Sequence, residues 1–139
     1  MPDPIPPPAA RRPAEVLELV SLALSDGDLE AALAQYEPGA PLQPWVREAA
    51  SDRDSVGDIL LGLMELRLPL SARVRAVLPA RGLALVLGER HMGGTGPDGQ
   101  RIQMSGLGST VVRQQPDGAW RIVADAWCLE GPGPADIRD

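Results

Sequence analysis

Asp125, Arg90, His91 and Tyr36 are the side chains best suited to move a proton or hold a developing negative charge. A carboxyl group lining a dry cavity binds its proton more tightly and can act as base or acid near neutral pH. Tyr36, Arg90 or His91 would then supply the hydrogen bond that stabilises an oxyanion. Each also has a plainer role. Asp125 can pair with Arg121 or Arg113 at the outer rim of a sheet. His91, the only imidazole, alternates in step with Leu83, Leu85, Leu87 and Glu89 and runs into the turn-prone MGGTGPDG, which suits a solvated strand end. Arg90 has the opposite parity, with Ala84, Val86, Gly88 and Met92. If that parity faces inward, its guanidinium can reach Asp125 or a ligand carboxylate or phenolate.

Tyr36, Trp45, Met64, Met104 and Trp127 are candidates for the apolar wall of a ligand pocket. Met64 and Met104 suit plain core packing equally well. Trp45 stands in a Pro-rich segment, where an indole left in water would contribute nothing. Cys128 has no histidine nearby in sequence and reads as buried filler. One His and one Cys make no transition-metal cluster, so no metal is expected. The Gly-rich GGTGPDG lacks the Lys-Ser/Thr of a phosphate loop, and no nucleotide cofactor is expected.

The elements that must position these groups are legible from apolar spacing. Val16, Leu19, Val20 and Ala23 recur at helical spacing, predicting a helix near 13–24 with Glu15 in its first turn. Gly27 can end it, and Asp28 can cap a short second helix near 28–36. Pro38, Pro41 and Pro44 predict a loop or a ragged short strand up to Trp45. Ser51 or Asp52 caps a third helix near 52–66, whose buried stripe is Val56, Ile59, Leu60, Leu63 and Met64. Glu48 reads as the approach to it, and Pro69 stops it.

Strands follow at about 71–78, 83–92, 101–113 and 119–129. Pro116, Asp117 and Gly118 turn the last pair, so the C-terminal half is an antiparallel meander. Alternation in the last strand sets Trp120, Ile122, Ala124, Ala126 and Cys128 on the apolar, core-facing side. Arg121, Val123, Asp125 and Trp127 take the other. Residues 1–12 read as a Pro-rich arm, 13–129 as one domain and 130–139 as a solvated tail.

With 139 residues and 44% apolar content, the chain can bury a core without disulfides. Phe is absent, so Leu, Val, Ala and Met must fill it. All 13 cations are Arg; without Lys, a lysine Schiff base is excluded. The net charge of −6, with no basic tract, argues against nucleic acid as a partner. No apolar run approaches the about eighteen residues of a membrane span, and no leader pattern opens the chain. A soluble cytoplasmic protein is expected.

Asp26-Gly27-Asp28, Gly106, Val112-Arg113, Asp117-Gly118, Trp120-Arg121-Ile122 and Asp125 together resemble the nuclear transport factor 2-like (NTF2-like) superfamily, and within it the SnoaL-like and DUF4440-type bacterial branch. The likeness covers residues 13 to 129. It implies an α+β fold in which three N-terminal helices pack, cone-like, on a strongly curved and mostly antiparallel sheet, enclosing a ligand cavity. It also implies a strand hairpin between the second and third helices, where GAPLQPWVREAAS is short and proline-interrupted.

Superfamily members include ketosteroid isomerases, polyketide cyclases, epoxide hydrolases, dehydratases and non-enzymatic modules, so fold alone does not choose among them. The leading expectation is a protein that binds a small apolar or aromatic molecule. Its enzymatic form would be a cofactor-free isomerase or cyclase that works by proton transfer. A non-catalytic ligand-binding or oligomerisation module is the alternative. An epoxide hydrolase-like or dehydratase-like enzyme is a further one, though a second inward carboxylate for it could come only from Glu89 or Asp58. Apolar residues on both faces of the strand at Arg81–Met92 predict a homodimer packed through the sheet.

Overall fold

The computed structural model describes residues 5–45 and 49–133. Three helices, α1 (Glu15–Asp26), α2 (Leu29–Leu33) and α3 (Arg53–Glu65), lie with a five-stranded sheet. Its strands are β1 (Leu42–Trp45), β2 (Leu70–Ala80), β3 (Leu83–Thr95), β4 (Arg101–Gln114) and β5 (Trp120–Leu129), in the order β1-β5-β4-β3-β2. β2 to β5 form the antiparallel meander that the turns predict, whereas β1 runs parallel to β5.

The local signals work as their chemistry suggests. Gly27 closes α1 in the left-handed conformation (φ 69°), which glycine adopts without strain. Asp28 and Asp52 accept from the main-chain N–H groups of Ala31 and Ser55, satisfying otherwise orphaned donors at the starts of α2 and α3. Those bonds hold the Asp52 carboxyl below the usual carboxylate range.

The cone of the sequence expectation is not formed: the sheet is open, with β1 and β2 as its edges, and is not strongly curved. The physical reason lies in its centre. β3 and β4 pair without a register shift from Leu83↔Arg113 to Thr95↔Arg101, so no bulge bends the middle of the sheet. Shifts occur only in the flanking pairs, at Val74/Ala76, Val111/Val112 and Gln43/Trp45. Helices therefore sit directly on the sheet. A Cβ added to Gly88 would collide with Leu17 of α1, so the bare glycine backbone sets the closeness of that contact.

The core between the layers includes Leu17, Tyr36, Leu42, Leu60, Ile122 and Trp127, all 2% exposed or less. In place of the hairpin between α2 and α3, the described residues hold β1 and a single antiparallel bridge from Leu42 to Ala50. Glu48 lies outside the described residues. The described parts of both terminal segments make hydrogen bonds to the domain. Ala10 bridges Trp120, and Pro8 accepts from Gln35. Glu130 pairs with Ser105, and Pro132 accepts from Gln103 N–H. Residues 1–4 of the arm and 134–139 of the tail lie outside the described residues.

Candidate functional site

β5 carries the site, and one irregularity decides which way it faces. Val112 pairs with Ile122 but Val111 pairs with Ala124, leaving Val123 unmatched. An extra residue reverses the alternation beyond it. Ile122 points into the core, and so do Asp125, Trp127 and Leu129. Ala124 and Ala126 move to the half-buried outer side, and Cys128 is exposed in the left-handed region (φ 57°). This corrects the expected core face of β5, and with it the reading of Cys128 as buried filler.

Asp125 thus enters the interior, where four donors converge on it. Thr110 Oγ1 lies 2.7 Å from Oδ1, and Arg90 Nη2 lies 3.4 Å from the same oxygen. Tyr36 Oη and Trp127 Nε1 each lie 2.8 Å from Oδ2. A carboxylate has about four acceptor positions, so its capacity is filled. Burial is complete: the side chains of Arg90 and Asp125 are 3% and 0% exposed.

Removing two charges from water costs several kcal/mol per ion, and hydrogen bonds must offset it. The carboxylate receives that compensation in full. Arg90 does not. Its Nη2 also donates to Thr110 Oγ1 at 3.2 Å and its guanidinium lies 5.1 Å from the centre of the Trp127 ring. Its Nη1 is buried without a hydrogen-bond partner among the described residues.

Each member is held from its own element. Tyr36 follows α2, where Arg53 donates to the carbonyls of Leu33 and Tyr36 at 2.9 and 3.1 Å. Gln35 and Glu37 clasp the main chain of Ile122, fixing Tyr36 beside β5. Pro41 accepts from Asp125 N–H at 3.0 Å, so the chain leading into β1 fixes the backbone of the carboxylate itself. Burial, followed by the neighbouring Asp125 charge, raises the Tyr36 hydroxyl well above the usual phenol range, which keeps it a donor.

Of the sequence candidates, Asp125, Arg90, Tyr36 and Trp127 are brought together. His91 is not: it is exposed on the opposite face of the sheet, 2.7 Å from Gln103. Met104 is buried in the core opposite Met92. Met64 is half-buried beside a surface groove of about 730 Å³ between the ends of α1 and α3, and Trp45 is half-buried on β1. Glu89 and Asp58, the other carboxylates considered, are exposed. Sequence reasoning missed Thr110, whose only signal is its cross-strand pairing with Asp125.

No protein-family model matches the chain, and no curated protein matches it. Solved structures do. A ketosteroid isomerase-like protein from Erwinia carotovora atroseptica aligns with a TM-score of 0.73 and 17% identity over 86% of this chain and 94% of its own. A candidate calcium/calmodulin-dependent protein kinase type II association domain from Thiobacillus denitrificans aligns with a TM-score of 0.71 and 14% identity, over 89% and 99%. A candidate dehydratase of the NTF2-like family from Streptomyces avermitilis gives 0.68 and 14%, over 81% and 89%. The chain shares the fold of these proteins, the last of them named as NTF2-like. At these identities the likeness is one of fold, and its function is argued from the site.

Proposed function

We propose that this chain binds a small, largely apolar molecule bearing one hydrogen-bond acceptor, which Arg90 Nη1 receives inside the fold. The unpartnered nitrogen carries the reading, since a buried cationic donor is costly unless something accepts from it. Asp125, Thr110 and Trp127 position the guanidinium, and Tyr36 completes the hold on Asp125. Apart from Gln35, Arg90, Thr110 and Asp125 the buried core is made of hydrophobic residues, in keeping with a ligand site of few, fixed polar groups. Because the cluster is closed to solvent, a ligand reaches it through local opening of the helix layer.

Proton-transfer catalysis by Asp125 is the weaker reading, because both its oxygens are already taken by donors. Within the superfamily the DG-x-WRI segment favours the SnoaL-like branch. An exposed, lone Cys128 suits a reducing compartment such as the cytoplasm. The apolar outer side of the sheet, with Leu78, Leu85, Leu87 and Val111, favours a homodimer through that face.

Calorimetric titration with matched ligand pairs tests the binding reading: an apolar ketone, phenolate or carboxylate beside the hydrocarbon of the same shape. The acceptor-bearing member should bind, and Arg90→Met should weaken it about tenfold or more. Equal binding of the hydrocarbon, or indifference to Arg90→Met, would remove the reading.

A further inference from the structure

The outer face of the sheet is divided across its length. Register sets Ala76, Leu87, Ser109 and Ala126 in one row and Leu78, Leu85, Val111 and Ala124 in the next, an apolar half. Toward the other end, Ser71, His91 and Ser105 form one row, and Arg73, Glu89 and Leu107 the next. Over these two polar rows lies a groove of about 520 Å³.

Its donors are largely uncommitted. Glu89 is paired by Arg75 at 3.5 Å, so Arg73 has neither ion pair nor hydrogen bond among the described residues. The Ser105 hydroxyl is likewise without a partner among them, and Ser71 only reaches the His91 carbonyl at 3.4 Å. His91 touches Gln103 through one ring nitrogen, which leaves its other nitrogen for a ligand. Leu107, 57% exposed, offers an apolar ledge on the same groove.

We propose that this groove binds a small monocarboxylic acid with an apolar body. The guanidinium fork of Arg73 matches the two oxygens of a carboxylate. His91, Ser71 and Ser105 stand within the same groove to donate, and the apolar body rests on Leu107. Glu89 in the groove and the net charge of −6 disfavour a dianion such as a phosphate monoester. Arg90 also borders this groove, but its side chain is only 3% exposed and turned to Asp125 on the other side of the sheet.

A single histidine makes the test direct, since only one imidazole signal exists. Hexanoate and its neutral analogue hexanamide are titrated at constant ionic strength while the His91 ring and the Trp127 indole N–H are followed by NMR. Hexanoate should shift the His91 ring saturably, hexanamide should not, and the exposed-site variants Arg73→Ala and Ser105→Ala should each weaken the response, Arg73→Ala by about tenfold. An equal response to hexanamide, or one untouched by Arg73→Ala, would overturn the proposal. So would a response confined to the Trp127 indole, which would place the acid at the inner cluster.

Discussion

Tyr36 and Asp125 are 89 positions apart in sequence, yet the phenol donates to the carboxylate at 2.8 Å in the core. One closes the short α2 region and the other lies past the bulge in β5, so their meeting depends on the whole packing of helices on sheet. Tyr36 is also the only tyrosine in the chain, which makes its ionisation readable in isolation.

Its hydroxyl is raised well above the usual phenol range in the folded state. The unfolded chain releases the proton near pH 10. Between that pH and the folded pKa the unfolded state binds fewer protons, so stability is complete below about pH 10 and falls as pH rises through this window. Tyrosinate absorbance should therefore stay absent in the native protein at pH 10 and appear there once urea unfolds it. A native titration at the ordinary phenol pH would contradict the buried hydrogen bond.

Asp125→Ala should cost about 3–5 kcal/mol in urea unfolding, because it leaves the buried Arg90 charge without its carboxylate. The double variant Asp125→Ala, Arg90→Met should recover part of that loss, since no lone charge remains. It should not recover all of it, as Tyr36, Thr110 and Trp127 still lack an acceptor. A double variant less stable than the sum of the singles would refute the charge argument.

Two glycines should respond in opposite directions. A Cβ at Gly106 would overlap the main-chain carbonyl of Cys128, where β5 lies against β4, so Gly106→Ala should cost about 1–3 kcal/mol. Gly62 in α3 has open space around it, and Gly62→Ala should stabilise by about 0.5–1 kcal/mol through helix propensity. Thermal unfolding of the two variants distinguishes them.

For the homodimer, light scattering should give a mass near twice 14.7 kDa, and Leu85→Asp should shift it toward the single-chain value. A mass of one chain for the unaltered protein would refute the sheet-face dimer.

Helices, caps and the four meander strands were legible because apolar period, caps and turn residues act locally. The parallel pairing of β1 was not, since Pro41 and Pro44 obscure a strand whose partner lies more than eighty positions away. Arg90 could be assigned to the Ala84, Val86 and Met92 side by alternation alone. Asp125 could not: the unmatched Val123 reverses parity, and nothing in V-A-D-A-W marks a bulge. Thr110 was invisible for the same reason, because only the shifted register sets it opposite Asp125. Strong curvature was expected from resemblance, and the unbroken β3–β4 ladder corrects it.

Ligand binding at Arg90 is decided by a crystal structure with a bound acceptor-bearing ligand. The acceptor atom should lie about 3 Å from Arg90 Nη1, with Asp125 still held by Thr110 and Trp127. Arg90 Nη1 left without an acceptor in the complex would contradict it.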